Sequence, residues 1–338
     1  MERDDYFDNV KGALITLVVI GHFLLPMERT RFVGSLINII YLFHMPMFAM
    51  VSGYFAKNIY RQGKYRTDKV IRLVWLYILF KIAVNVTQNL AAGTPVTGHI
   101  DFFREDGAPW YLLAMIWWYL SIPCMAGLKP GAVMGICLCL GILGGYQESL
   151  GDILAMSRTM TFAPFFYSGY YLKRGQVQKF LDSGYGWIFL TGAFCIAAVT
   201  AVGTKWFLEP YIGIIYGMNY SRLALEAYAW GGIVRIICYL WGTVMILGMM
   251  AAVPRKRQWW TFLGERTLQI YILHRLLRDM MEYWGFYRIF TSAYRRTVVM
   301  VIVLAVLAAF VLAAPQITKG FRKIQKIPDI LYKKWRSV

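Results

Sequence analysis

Long uncharged stretches recur through this 338-residue chain and constrain its fold more than any other feature. A stretch of about twenty apolar residues is long enough to cross the hydrocarbon core of a membrane as a helix. Hydrophobic residues make up 58% of the chain, above the roughly 45–50% that is typical of soluble domains. The sequence therefore predicts an all-α polytopic membrane protein.

We predict about ten transmembrane helices, and residues 203–227 are apolar enough to include a further partial or re-entrant segment. The predicted spans are 11–26, 33–55, 71–92, 108–126, 131–146, 159–172, 185–203, 228–252, 261–281 and 297–314. Together they form one predicted transmembrane domain, residues 1–318. A basic cytoplasmic tail, residues 319–338, follows it as an interfacial anchor, and we expect no attached soluble domain.

Basic residues indicate how these helices are oriented. The chain holds 36 Lys and Arg against 18 Asp and Glu, and most of the basic residues fall in alternate loops. Because loops rich in Lys and Arg stay in the cytoplasm, both termini are predicted to be cytoplasmic. The membrane explains the net charge of +18 better than nucleic acid does, so we predict no nucleic-acid partner.

Ionisable residues inside the predicted spans are the first candidates for a functional site, because each is costly in a membrane. Lys11 and His22 lie eleven residues apart on the first span, so both face one side of the helix, roughly 16 Å apart along its axis. His44, Lys81 and His274 fall at a similar depth, with Arg235 in the outer half. Together they predict a central polar cavity, although each alone is equally compatible with a structural hydrogen bond or a snorkelling side chain.

The other potential metal ligands give no such pattern. The five cysteines lie in or at the ends of apolar runs, and no metal-ligand spacing joins them to the histidines. We therefore predict packing roles for the cysteines and no metal site. His99 falls in a predicted external loop, where we expect it at the solvated surface.

Six sequence blocks follow one another along nearly the whole chain: DNVKGALITLVVIGH (8–22), FHMPMFAMVSGYF (43–55), Arg72 in KVIRLVWLY, APWYLLAMIWW (108–118), Arg158 with FAPFFYSGYYLK (162–173), and FLGERTLQIYILH (262–274). In this order they resemble the acyltransferase-3 family of integral membrane O-acyltransferases, and most closely its sugar O-acetylase branch, such as fucose O-acetylase-like proteins. Two positions depart from the family pattern. Lys11 stands where an Arg is common, and Thr267 stands where the last block has Ser.

The resemblance implies ten spans in a bacterial plasma membrane and transfer of an acyl group, usually acetyl from acetyl-CoA, to a carbohydrate hydroxyl. It implies His22 as the essential residue and no permanently bound cofactor. The expected partners are the lipid bilayer, cytosolic acyl-CoA, and a carbohydrate or lipid-linked glycan acceptor, typically outside the cell or at the outer leaflet. Neither the identity of the acceptor nor the length of the acyl group follows from the sequence, and a homodimer stays open.

An alcohol is a poor nucleophile while it is protonated, so acyl transfer to a sugar needs a base. Histidine suits this role near neutral pH, and His22 either deprotonates the acceptor or carries the acyl group as a relay. We expect Lys11 to help place the donor. Further catalytic candidates are His274, which orients the acceptor or His22, and Ser52, Tyr271 and Arg158 as donors to the oxyanion.

The substrate-binding candidates lie on the two predicted sides of the membrane. The phosphates of acyl-CoA are expected to bind near the basic loop at 57–72, and the candidate partners are Arg61, Lys64, Arg66 and Arg72, with Arg158 further along the chain. On the acceptor side we expect His44, Lys81 and Trp110. Aromatic faces stack on sugars, although an interfacial aromatic belt explains Trp110 as well.

Two other classes of function fit the same polar layer. A transporter or flippase for an anionic or glycolipid substrate would use the cavity without covalent chemistry. A membrane scaffold or sensor would tolerate His22→Ala without effect. Only the enzyme releases free CoA from acyl-CoA in the presence of an acceptor.

Overall fold

The computed structural model describes residues 4–27, 30–94, 100–105, 107–206, 208–223, 225–288 and 294–336; His99 lies outside them. Within these residues helices dominate, which confirms the all-α prediction. The helices are α1 (Asp5–Leu24), α2 (Arg31–Phe55), α3 (Thr67–Ala92), α4 (Trp110–Met125), α5 (Pro130–Leu143), α6 (Met156–Tyr171), α7 (Arg174–Asp182), α8 (Gly186–Trp206), α9 (Ile212–Ile215), α10 (Leu225–Ala252), α11 (Thr261–Glu265), α12 (Thr267–Tyr283), α13 (Tyr294–Leu312) and α14 (Pro315–Arg336). Strands β1 (Tyr60–Arg61) and β2 (Lys64–Tyr65) form a short antiparallel hairpin.

Every predicted span overlaps a helix, and the ninth overlaps the broken pair α11 and α12. Among the described residues, α1, α2, α3, α8 and α10 are long and apolar enough to cross a membrane. A sixth crossing is added if Arg296–Leu312 and Pro315–Ile330, which bend by 62°, count as one. α4 and α5 are apolar but shorter. The chain is thus an all-α membrane protein, while ten crossings and cytoplasmic termini stay predictions.

Helix α1 lies at the centre of the bundle. Asp4 caps its first turn by accepting a hydrogen bond from the backbone N–H of Phe7 at 3.5 Å. Its apolar residues include Leu14, Ile15 and Val19, each fully buried. The helix packs against α2, α11, α12 and α13. A helix that is apolar on most of its surface is stable only when other helices surround it, so polar side chains on α1 face protein or a cavity.

Glycines set the closest helix approaches. A Cβ on Gly53 of α2 would lie 1.8 Å from the carbonyl oxygen of Phe166 in α6, and one on Gly169 would lie 1.8 Å from that of Met50. Gly264 of α11 makes a third close approach, to α1, where an added Cβ would lie 1.7 Å from the carbonyl oxygen of Asp8. Small residues at helix crossings let backbones meet in this way in membranes, and here they bring α2 against α6 and α11 against α1.

The segment between α8 and α10 forms short helical turns that Arg235 holds in place. Its guanidinium is fully buried and donates to the carbonyl oxygens of Ile214 and Met218, at 3.0 and 2.6 Å. It also lies 5.3 Å from the ring centre of Tyr220. Arg235 therefore satisfies its charge within the protein, and its contacts are structural.

We predict that Gly53→Ala destabilises the protein by about 1–3 kcal/mol, because the added methyl group overpacks the α2–α6 crossing. Gly135→Ala is the matched control, since a Cβ there meets nothing within 4 Å and Ala favours the helix. Thermal unfolding in detergent compares the two variants. Equal unfolding temperatures would show that the crossing tolerates the methyl group.

Candidate active site

Polar side chains on three helices surround one cavity. On α12, the predicted residue Tyr271 is followed by Arg275 and Arg278 at intervals of four and three residues, so the three form one stripe. His22 on α1 and His44 on α2 face this stripe. Together these side chains surround a cavity of about 260 Å³, which we name the histidine cavity. It is lined by Val18, His22, Leu25, Tyr41, His44, Met45, Gly107, Ala108, Trp110, Arg158, Phe162, Ile215, Tyr216, Met218, Tyr271, Arg275 and Arg278.

Two histidines meet edge to face beside this cavity. The ring centres of His22 and His274 lie 5.0 Å apart, with the ring planes at 73°. Nδ1 of His274 lies 2.9 Å from the carbonyl oxygen of Ile270 one turn earlier, and His44 repeats this contact with Ile40 at 2.8 Å. A carbonyl oxygen can only accept, so both Nδ1 atoms carry a proton, and each neutral ring keeps its lone pair on Nε2.

Three buried polar atoms near this cavity have no hydrogen-bond partner among the described residues. They are Nδ1 of His22, Nε2 of His274 and the Tyr41 hydroxyl. At Nδ1, His22 thus differs from His274 and His44, which both contact a backbone carbonyl there. Unpaired buried polar atoms are rare, because each loses its hydrogen bonds to water without replacement. Their grouping around one cavity indicates a site that takes a polar ligand.

Guanidinium groups and an aromatic ring line part of the histidine cavity. Arg275 and Arg278 both contact Asp279, with Arg278 at 3.0 Å, and Arg278 also pairs with Glu282 at 3.2 Å. Arg158 lies 5.6 Å from the ring centre of Trp110. These groups offer hydrogen-bond donors beside an apolar face, an arrangement that suits a polar ligand with apolar ring surfaces.

A second cavity, of about 290 Å³, lies on the Lys11 side of His22, and we name it the lysine cavity. Lys11 pairs with Asp8 at 2.6 Å and lies 5.0 Å from the ring centre of Phe55. The Ser52 and Tyr111 hydroxyls share a hydrogen bond of 2.8 Å. The lining residues are otherwise mostly aliphatic and aromatic, so the cavity suits a narrow and largely apolar group.

The two cavities adjoin beside the histidines. Val18, Met45 and Tyr271 line both of them. The Tyr271 hydroxyl donates to the carbonyl oxygen of Ala108, which fixes the ring between the cavities. The two cavities therefore share a junction that lies near His22.

A third space extends this series beyond Lys11. It is a groove of about 310 Å³ between α3 and α14, which we name the basic groove after Lys69, Arg72, Arg322 and Lys326. Leu73, Tyr119 and Leu268 line both the basic groove and the lysine cavity. The three spaces thus follow one another from α14 to the histidines.

Several predicted residues lie outside these spaces. Lys81 pairs with Glu105 at 3.0 Å and donates to the carbonyl oxygen of Arg104 at 2.7 Å. It thereby anchors the segment that leads to Trp110. Arg61 and Lys64 lie on the hairpin, and Arg66 pairs with Asp68 at 2.8 Å. None of these four cations lines a cavity described above, and their binding roles stay predictions.

The remaining predicted residues divide between the cavities. His22, His44, Trp110 and Arg158 line the histidine cavity, and His274 contacts His22 from beside it. Lys11 and Ser52 line the lysine cavity, Tyr271 lines both, and Arg72 lines the basic groove. Among the described residues, no group of three or more His, Cys, Asp and Glu side chains is placed to hold a metal ion.

The sequence alone did not single out Tyr41, Arg275 and Arg278 as site residues. The signal was present in part, because Arg275 and Arg278 fall four and seven residues after Tyr271 and so share its face of α12. Arg322 and Lys326 gave no signal, since a basic tail has the same composition whether it touches lipid or protein.

Comparison with known proteins agrees with this arrangement. The family model described as "Acyltransferase domain", that of the acyltransferase-3 family, matches residues 4–314. The nodulation protein NolL of Sinorhizobium fredii (strain NBRC 101917 / NGR234) is 38% identical over 180 residues, which cover 50% of this chain and 48% of that protein. The nodulation protein NolL of Mesorhizobium japonicum is 47% identical over 60 residues, 17% of this chain and 16% of that protein.

The matched region spans about half the length of the first relative and less of the second. No solved structure matches the chain. The family match covers all of the residues that line the histidine and lysine cavities. The chain belongs to the acyltransferase-3 family.

Proposed function

We propose that this protein is an O-acyltransferase of the bacterial plasma membrane. It moves an acyl group, acetyl in the first instance, from cytosolic acyl-CoA to a hydroxyl of a cell-surface or secreted carbohydrate. In this proposal the chain crosses the membrane ten times and keeps both termini in the cytoplasm. The histidine cavity then opens toward the outer face and takes the acceptor, and the lysine cavity takes the donor.

The observation that carries the proposal is the junction of the two cavities at Val18, Met45 and Tyr271, beside His22. Acyl transfer needs the thioester carbon of the donor and the hydroxyl oxygen of the acceptor within contact distance of each other. A mostly apolar cavity on one side suits an extended thioester arm. A cavity lined by guanidinium groups and an aromatic face on the other side suits a sugar.

His22 supplies the base in the direct route. It takes the proton of the acceptor hydroxyl while the oxygen attacks the thioester carbon, the C–S bond breaks, and the CoA sulfur receives the proton. In the relay route the lone pair of a His22 nitrogen attacks the thioester carbon, and the C–S bond breaks to release the CoA thiolate. The hydroxyl oxygen then attacks the acyl-imidazole, the N–C bond breaks, and the hydroxyl proton passes through the imidazole to the thiolate. Both routes need His22 beside the junction.

His274 is proposed to position His22. Because the carbonyl oxygen of Ile270 holds the proton on Nδ1, the unpaired Nε2 of His274 is an acceptor, on a ring whose centre lies 5.0 Å from that of His22. It can accept an N–H of the His22 ring and so select which His22 nitrogen carries the lone pair. A charge that develops on the His22 ring during the reaction is stabilised by the same contact.

The acceptor is proposed to bind among Trp110, Arg158 and the Arg275–Arg278 pair. Sugar rings present apolar faces that pack on aromatic side chains, and their hydroxyls accept hydrogen bonds from guanidinium groups. His44 adds a fixed acceptor nitrogen to the same wall, through its Nε2.

We expect His22→Ala to lower acceptor-dependent release of free CoA by about 10²–10⁴-fold, because the base is removed. Purified protein in detergent is assayed with acetyl-CoA and a panel of sugars and glycans. His22→Gln should lose as much, since the amide keeps a hydrogen-bonding side chain but is not a base. Both variants are checked for wild-type thermal unfolding.

Wild-type rates in both His22 variants would refute the role of His22. A wild type that binds a glycan but releases no CoA with any acceptor would instead favour a transporter. A burst of about one CoA per wild-type protein in the absence of acceptor, lost in His22→Ala, would favour the relay route over the direct one.

We also expect Met45→Trp to reduce acyl transfer by about tenfold or more, because the indole fills the junction through which the thioester reaches His22. Binding of CoA itself, measured by calorimetry, should stay at the wild-type level. Leu190→Trp is the matched control. Leu190 is exposed on α8, so this substitution adds an indole of the same size away from the cavities. Full transfer in Met45→Trp would show that donor and acceptor do not meet at this junction.

A further inference from the structure

Helix α14 lies against α3 rather than standing apart as a tail. It follows α13 after a bend of 62° and runs back across the bundle. Arg72 of α3 pairs with Asp329 of α14 at 2.9 Å. Trp75 of α3 donates its indole N–H to the carbonyl oxygen of Ile324 at 3.2 Å. Two side-chain contacts from one helix face therefore tie α14 in place.

The basic groove is made by both helices together. Lys69 and Arg72 stand one turn apart on α3, and Arg322 and Lys326 stand one turn apart on α14, so the four cations face each other across the groove. Asp329 pairs with Arg72, and Asp68, next to Lys69, pairs with Arg66. The four groove cations and Arg66 outnumber these two carboxylates, so an excess of positive charge is left that an anionic ligand can neutralise.

The floor of the groove leads to the reaction site. Leu73, Tyr119 and Leu268 line both the groove and the lysine cavity, and the lysine cavity adjoins the histidine cavity. A ligand with phosphate groups at one end and a narrow apolar arm at the other fits this sequence of charged mouth, apolar passage and reactive end. Among acyl donors, a nucleotide thioester has this distribution of charge.

We infer that the basic groove binds the phosphate groups of the acyl donor, and that α14 supplies half of this site through Arg322 and Lys326. The inference rests on the proposed function. It goes beyond the family match, which ends at residue 314, before α14 begins. It also moves the phosphate site from the hairpin, where Arg61 and Lys64 lie, to the α3–α14 interface.

Two phosphate-bearing molecules could occupy the groove in a membrane, namely the acyl donor and an anionic lipid through its headgroup. The two occupants predict different measurable effects of the groove cations. Donor binding makes the Michaelis constant for acyl-CoA depend on the four cations. Lipid binding makes protein stability depend on anionic lipid and leaves that constant unchanged.

The test compares two double substitutions in the whole 338-residue chain. Arg322→Gln/Lys326→Gln is the groove variant, and Lys319→Gln/Lys323→Gln is the matched control variant. The control removes the same charge from exposed positions of α14 that do not line the groove. Each protein is placed in nanodiscs of phosphatidylcholine, and CoA release is measured with acetyl-CoA, acetyl-dephospho-CoA and acetyl-pantetheine. These three donors carry progressively fewer phosphate groups.

The groove variant should raise KM for acetyl-CoA about tenfold with kcat unchanged, as expected for the loss of two partly exposed charge pairs. The effect should shrink with acetyl-dephospho-CoA and vanish with acetyl-pantetheine. The control variant should match the wild type with every donor. Equal KM values for the two variants would overturn the inference while leaving the proposed function intact.

A second arm repeats the assay in nanodiscs that contain phosphatidylglycerol. If anionic lipid stabilises the wild type but not the groove variant, and KM for acetyl-CoA is the same in both, the groove binds lipid headgroups and the inference is wrong. Calorimetry with CoA accompanies both arms. A wild type that binds CoA and transfers no acyl group would overturn the proposed function, and the binding constants of the two variants would still decide the groove.

Discussion

A polar side chain inside a membrane must find a partner or a cavity, because lipid offers no hydrogen bonds. This constraint sorts the ionisable residues of the bundle into two groups. Arg235 and Lys81 direct their charges to backbone carbonyls and, for Lys81, to Glu105. His22 and His274 keep buried ring nitrogens without partners among the described residues. The first group supports the scaffold, and the second marks where the protein is built for a ligand.

The scaffold contacts explain why the histidines meet. Gly53 and Gly169 bring α2 against α6, and Gly264 brings α11 against the start of α1, so α12 continues along α1 with His274 beside His22. Backbone carbonyls then hold the His274 and His44 rings in one tautomer. Close packing at the glycines therefore leads to a defined arrangement of lone pairs at the junction of the two cavities.

Much of this arrangement is readable from the sequence, for physical reasons. Each predicted span overlaps a helix because the membrane demands long apolar helices. The helical period alone places Lys11 and His22 on one face, and they line adjoining cavities. The family blocks add Ser52 and Tyr271, which line these cavities as well.

The rest depends on contacts between distant parts of the chain. The pairing of Arg72 with Asp329 joins residues from opposite ends of the sequence, and no local pattern predicts it. An amphipathic basic helix has the same period on a lipid surface as on α3, so the packing of α14 was not evident. The ninth span is broken at Arg266, two residues after Gly264, and the close contact of Gly264 with α1 is likewise made by residues far apart in the sequence.

The central claim is that donor and acceptor reach His22 from opposite faces of the membrane. The most direct measurement uses proteoliposomes with the protein in one known orientation, with acetyl-CoA labelled in its acetyl group on one side and an accepted glycan on the other. We predict labelled glycan only when acetyl-CoA is on the side of the basic groove and the glycan is on the opposite side. Labelling that requires both substrates on the same side would contradict it.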